Sequence, residues 1–239
     1  MNTESSPTNN VDAAEIDKFS QLASRWWDTE SEFKVLHAIN PLRTDYIEQH
    51  CGGLKGKKVL DIGCGGGILS EAMALKGADV TGIDMAQQSL DVARMHLLES
   101  GARVDYQLIT AEKFADDNAA QFDVIACLEM LEHVPDPSSI IEAAARLLKP
   151  DGTLILSTLN RNAKSFFFAI VGAEYVMNIL PKGTHEYQRF LKPSELAQSA
   201  RAVGLDVFDI TGMSYNPWSK QYRLGRDVDV NYLMALRPA

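Results

Sequence analysis

The stretch VLDIGCGGGILSE, residues 59–71, constrains this chain more than any other. A buried strand, Val59 to Ile62, runs into four glycines within five positions and then into a helix-forming run. Glycine lets the backbone turn sharply and approach a ligand with no Cβ in the way. A ligand lying there meets backbone N–H groups and a helix N-terminus. A strand that ends in this way predicts the first unit of an open α/β sheet, with its site beyond the carboxyl ends of the strands.

The rest of the chain keeps that rhythm. ILSEAMALKG reads as a helix stopped by Gly77, ADVTGIDM as a strand, and QQSLDVARMHLLESG as a helix stopped by Gly101. VDYQLIT and FDVIACLEM read as strands three and four. SSIIEAAARLLKPDG is a helix closed by a Pro-Asp-Gly turn, and TLILSTLN is a fifth strand. Two late strands, LDVFDITGMSYNP and DVDVNYLMALRP, follow the helix SELAQSARAVG. The expected fold is α/β: a doubly wound, seven-stranded, mostly parallel sheet with helices on both faces. Upstream, Asp12 caps a helix running to about Trp27, with Ile16, Phe19, Leu22, Ala23 and Trp26 on one face. A second helix starts at INPLR, with Asn40 as cap and Pro41 in its first turn, and ends near His50. The domain reading is a disordered tail over 1–10 and a single domain over 11–239. Within that domain, 11–50 supplies helices that cover the ligand and 161–192 is an apolar, basic insertion.

Two carboxylates refine the ligand. The nicotinamide fingerprint needs a third glycine at position 68, which is Ile68. Asp61, just before Gly63 and Gly65, would repel a pyrophosphate but suits a cation such as the sulfonium and ammonium of S-adenosylmethionine. Asp84 ends the second strand with Met85 beside it, placed to accept hydrogen bonds from a ribose diol. A net charge of −9 argues against a nucleic acid partner. Three cysteines, an odd number with no CxxC pair, suit a reducing compartment. The first residues lack the basic and apolar regions of a secretory leader and contain no arginine, so the expected location is cytoplasmic.

CLEMLEHVPDP, residues 127–137, places Glu129, Glu132 and His133 at i, i+3 and i+4, one face if the segment is helical. Two readings stay open. His133 could act as a general base, its ordinary pKa of about 6.5 being close to working pH. Alternatively the three could hold Mg²⁺ or a related ion, since carboxylate oxygens suit hard cations. A third possibility is a plain helix cap.

VLDIGCGGGILSE, VTGIDM, FDVIACLEMLEHVPDP and LLKPDGTLILSTLNR together resemble the class I S-adenosylmethionine-dependent methyltransferases over about residues 55–160. FSQLASRWWDTESEFKVLHAINPLR, GAEYVMNILPKGTH, FLKPSEL and DVDVNY are similar to the ubiquinone-biosynthesis O-methyltransferases, and extend the match over nearly the whole chain. The resemblance implies O-methylation of a polyprenyl catechol and of 3-demethylubiquinol. By position it places cofactor contacts on Arg43, Gly63, Asp84 and Leu128. It also implies a divalent metal for some members, with Glu129, Glu132 and His133 as the ligand set, and contact with other ubiquinone-biosynthesis proteins. The core motifs alone leave open another phenolic or lipidic substrate, or a silent cofactor-binding subunit. A polyprenyl tail calls for a membrane. SFFFAIVGAEYVMNIL, residues 165–180, is too short to span one but has a broad apolar face. Arg161, Lys164, Lys182, Arg189 and Lys192 against Glu174 and Glu186 surround it with a charge of +3 inside a chain of −9. Peripheral contact with an anionic inner leaflet is the expectation.

Overall fold

The structure is a computed structural model that describes residues 10–161, 189–216 and 218–239. Among these residues eight strands form one sheet: β1 (Lys58–Ile62), β2 (Asp79–Asp84), β3 (Val104–Leu108), β4 (Phe122–Leu128), β5 (Leu148–Leu159), β6 (Leu205–Asn216), β7 (Gln221–Gly225) and β8 (Asn231–Pro238). Their order is β3-β2-β1-β4-β5-β8-β6-β7. The pairs among β1 to β5 are parallel, whereas β8 is antiparallel to both β5 and β6, so β6 points the same way as β1.

Alternation along the strands explains why the sheet is wound on both faces. Ile125 and Cys127 of β4 pack into one apolar cluster with Leu60 and Ile62 of β1. Val124, Ala126 and Leu128 pack into a second with Val59. Both clusters bury side chains nearly completely, as strands covered by helices on both sides require. The helices are α1 (Ala13–Leu22), α2 (Lys34–Cys51), α3 (Ile68–Leu75), α4 (Gln87–Ser100), α5 (Ala111–Asp117), α6 (Pro137–Leu147) and α7 (Pro193–Ala202). Their ends follow the sequence. Asp12 accepts from the Ala14 amide to start α1, Asp136 does the same with Ser138 for α6, and Gly101 in the left-handed region stops α4.

Four expectations change. The strands number eight, because QYRLG forms β7, a hairpin partner for the end of β6. The first helix ends at Leu22 and continues only as a short 3₁₀ turn, Ala23–Arg25. The second starts at Lys34 rather than Asn40, with Pro41 inside it; burial of Phe33 and Ile39 keeps the preceding turns helical despite the lost amide donor. The segment after β4 is not a helix. Glu129 has φ +54°, and only a 3₁₀ turn, Leu131–His133, follows. Burial of Leu131 and Glu132 pulls that turn inward. An unforeseen helix, α5, is capped by Thr110, which accepts from the Lys113 amide. The apolar segment 165–180 and most of the insertion lie outside the described residues. Among the described residues, no helix is long and apolar enough to cross a membrane.

Candidate active site

The carboxyl ends of β1, β2 and β4 open onto a cavity of about 390 Å³. The strand β1 delivers Gly63 (φ +75°) and Gly65 (φ +52°) to its floor. Their lack of side chains is required by neighbours as well as by any ligand. A Cβ on Gly63 would lie 2.5 Å from Met130, and one on Gly65 would lie 2.6 Å from the Trp26 ring. Trp26 is held there by stacking on Phe33, with ring centroids 3.9 Å apart, and by a hydrogen bond from its Nε1 to Ser89 Oγ. Trp27 donates to the Gly66 carbonyl at 2.9 Å. The N-terminal segment is therefore bolted to the glycine loop and roofs the cavity.

The two loop acids are fixed differently. Asp84 accepts from the Gly65 amide through Oδ2 and from the Ala86 amide through Oδ1, each at 2.8 Å. Those bonds leave further lone pairs on both oxygens. Burial raises the Asp84 carboxyl above its ordinary value, against the pull of these amides. Asp61 is buried and accepts from Ser70 Oγ at 2.6 Å. Burial pushes it up to about 6, against the Ser70 hydrogen bond and Arg43, with Asp84 adding repulsion.

On the β4 side, Glu129 is a junction. Its Oε1 accepts from Ser157 Oγ at 2.7 Å and from Asn231 Nδ2 at 3.1 Å, and lies 3.3 Å from Arg43 Nη2. Arg43 is 6 % exposed. Burial pulls its pKa below the ordinary value, and Glu129 pulls it back. Glu132 is buried in the cavity wall, where it accepts from Thr158 Oγ1 at 2.8 Å. Burial pushes it up to about 7, and the neighbouring Glu129 charge adds to the shift. His133 faces α1, with Nδ1 2.7 Å from Glu15 Oε2 and its ring edge-on to Phe19. Burial alone would lower His133, but the Glu15 hydrogen bond and the Glu132 and Glu15 charges raise it overall.

The structure thus brings Arg43, Asp61, Gly63, Gly65, Asp84, Met85, Leu128, Glu129, Glu132 and His133 to one cavity. It does not place Glu129, Glu132 and His133 on one helical face as an ion-binding set. Each is committed to its own partner, and among the described residues no group of three or more His, Cys, Asp or Glu side chains is arranged to hold a metal. The residues present do not fit the Mg²⁺ set, because the left-handed Glu129 directs the three side chains to different neighbours.

Among the described residues, three buried polar atoms lining the cavity have no hydrogen-bond partner: Asn40 Oδ1, Arg43 Nη2 and Asn231 Oδ1. Arg43 Nη2 is within ion-pair distance of Glu129 but outside hydrogen-bond geometry. Such atoms call for a ligand that supplies both an acceptor and donors. A zwitterionic amino acid end supplies both, and Asp84 suits a sugar diol. The apolar side chains of Met85 and Leu128 border the same space. This is the donor and acceptor set that S-adenosylmethionine needs. Glu15, Asn231 and Trp26 were not singled out as site residues. Glu15 carries no local signal and Asn231 only its place in DVDVNY, which gives it no role; α1 and β8 bring them in.

A family model described as a methyltransferase domain matches residues 37–210. The chain is 60 % identical over 236 residues to the ubiquinone biosynthesis O-methyltransferase of Bordetella avium (strain 197N), covering 99 % of this chain and 98 % of that one. It is 62 % identical to the protein of the same name from Marinobacter nauticus, covering 95 % and 96 %. Among solved structures, magnesium protoporphyrin IX methyltransferase from Synechocystis PCC 6803 with bound SAH superposes with a TM-score of 0.65 at 17 % identity, covering 95 % of each chain. The Burkholderia thailandensis 1,6-didemethyltoxoflavin-N1-methyltransferase, with bound 1,6-didemethyltoxoflavin and S-adenosylhomocysteine, superposes with a TM-score of 0.64 at 18 % identity, covering 99 % and 93 %. At that identity these structures speak to the fold, the class I methyltransferase architecture.

Proposed function

We propose a function from the premise that this chain belongs to the ubiquinone biosynthesis O-methyltransferases: it moves a methyl group from S-adenosylmethionine to a phenolic oxygen of a polyprenylated catechol and of 3-demethylubiquinol. What carries the reading is near-full-length likeness to relatives named as O-methyltransferases of ubiquinone biosynthesis. The unpartnered atoms of Asn40, Arg43 and Asn231 beside the glycine loop support it.

When bound, the cofactor supplies an electrophilic methyl on a sulfonium. The protein's part is to hold, orient and deprotonate. Asp84, already braced by two amides, receives the ribose hydroxyls, and the floor at Gly63 and Gly65 lets the ligand lie against the backbone. Arg43 receives the carboxylate, with Glu129 fixing the guanidinium. Asn40 Oδ1 and Asn231 Oδ1 are acceptors for the ammonium. His133 is the base: with Nδ1 on Glu15, its other nitrogen, Nε2, takes the phenol proton. The protein's remaining share would be to hold the resulting phenolate oxygen facing the methyl group of the bound cofactor.

The test is transfer of labelled methyl from S-adenosylmethionine to a short-chain demethylubiquinol, run with and without chelator. Transfer in both conditions is expected. No transfer in either removes the reading, and loss with chelator alone returns a metal to the site.

The apolar segment 165–180 and its basic surroundings support peripheral contact with an anionic membrane. Replacing Phe166, Phe167 and Phe168 with Ser is expected to weaken sedimentation with anionic liposomes, and unchanged binding would refute that role.

A further inference from the structure

The end of the sheet opposite β3 carries an arm. Gly212 of β6 still pairs with Tyr232 of β8, but among the described residues Met213–Asn216 pair with β7 alone. Asn231, at the start of β8, is opposite Leu159, the last residue of β5. The β6–β7 hairpin therefore runs about three residues, roughly 10 Å, past the edge where β5 and β8 stop. Because β6 is parallel to β1, that edge is the one onto which the cavity opens. The chain also leaves β5 there for the 161–192 insertion.

The root of the arm is close-packed and its tip is bare. A Cβ on Gly212 would lie 1.7 Å from the Asp227 carbonyl oxygen, so only glycine lets the following loop seat against the root. Tyr215 and Tyr222 pair across the strands with ring centroids 4.8 Å apart. At the turn, Asn216 Oδ1 accepts from the Trp218 amide and leaves that indole 95 % exposed. The projecting part of the arm, Met213 to Leu224, has two basic residues, Lys220 and Arg223, and no acid, whereas Asp209, Asp227 and Asp229 lie at its root. Both basic residues are exposed.

A fully exposed tryptophan at the tip of a projecting hairpin, with cationic side chains behind it, is the chemistry of a headgroup-level anchor. Indole prefers the boundary between water and hydrocarbon, and lysine and arginine attract anionic headgroups. The same charges on an edge strand oppose its pairing with a like strand from a second copy. We propose that the β6–β7 arm docks on the surface of an anionic lipid bilayer, with Trp218 at headgroup level and Lys220 and Arg223 facing the lipid phosphates. The arm thereby turns the mouth of the cavity toward the membrane. This rests on the reading of a lipid-tailed substrate and adds a contact separate from segment 165–180.

The tryptophans make the test local. Of the three, Trp26 is buried on the glycine loop and Trp27 is stacked on His96, so Trp218 is the one that can change environment. The whole protein is titrated with phosphatidylcholine vesicles with and without phosphatidylglycerol, and with brominated lipids as quenchers. A blue shift and quenching are expected on anionic vesicles. Trp218→Ala should abolish both and weaken partition about tenfold or more. Lys220→Gln with Arg223→Gln should weaken it roughly 25-fold at low salt. The proposal is overturned if vesicles bind while Trp218 emission stays unmoved, since 165–180 contains no tryptophan. Unchanged partition of the variants overturns it as well. So does loss of concentration-dependent self-association in Trp218→Ala with vesicle binding intact, which would assign the arm to a protein contact. Methyl transfer to a short-chain soluble quinol is measured on the same proteins and is expected to be unchanged in the variants. If the parent transfers no methyl at all, the functional reading falls while the vesicle result still decides the arm.

Discussion

The two ends of the cavity are built by different means. At the β1–β2 end the backbone does most of the work: Asp84 is gripped by the amides of Gly65 and Ala86, nineteen and two residues away. At the β4 end the contacts are between side chains from distant segments. Glu129 holds Ser157 and Asn231, separated from it by 28 and 102 residues, and His133 holds Glu15 across 118. The first end forms as soon as a strand, a turn and a second strand are in register. The second forms only once α1, α2, β5 and β8 have all closed around it. Substitutions should accordingly fail in different ways at the two ends.

The largest effect is expected at the backbone end. Gly65→Val puts a branched side chain at a left-handed position, with its Cβ within 2.6 Å of Trp26. Cofactor affinity should fall by about 100-fold or more, read by calorimetric titration. A near-parental Kd would show that the loop is not what grips the ligand. At the side-chain end, Arg43→Met leaves the Glu129 carboxylate without its cation, and should cost about 3 kcal/mol in urea unfolding. Adding Glu129→Gln should recover much of that loss. If the two changes are simply additive, the pair is not coupled.

Two pH-dependent effects sharpen the contrast. The Glu132 carboxyl is raised to about 7 by burial, so the folded protein holds a proton there that the unfolded chain releases near its ordinary value. Glu132 thus lowers stability progressively as pH climbs from about 4.5 to above 7. In Glu132→Gln that slope should vanish, the variant gaining several degrees of Tm on the parent between pH 5 and 8. A constant offset across that range would refute the assignment. The smallest effect belongs to Glu15→Gln. Glu15 is lowered and His133 raised by their contact, so the pair stabilises above the ordinary glutamate value and loses its effect as pH passes the raised histidine value. The variant should melt lower than the parent by about 1 kcal/mol near pH 5.5 and converge with it in alkaline buffer.

This contrast also explains what could be read from the chain alone. The parallel core, the glycine floor and Asp84 were legible because each depends on residues close in sequence. Sheet wiring at the far edge was less so. QYRLG is short and half polar, and nothing local marks it as an eighth strand. The Glu129–His133 region misled because i, i+3, i+4 spacing implies a shared face only in a helix, and the left-handed Glu129 ends that possibility. Glu15 has no local mark, and DVDVNY marks the neighbourhood of Asn231 without giving that side chain a role. Each is recognisable only from the partner that the fold delivers to it.

Glu129 itself carries a further consequence. A glutamate at φ +54° costs on the order of 1 kcal/mol that a glycine would not. Selection for durability alone would favour glycine there. The carboxylate that remains is a mark of compromise: at this one position the protein has given up ruggedness in exchange for a side chain it needs, and variants chosen only for heat resistance would be expected to discard it first.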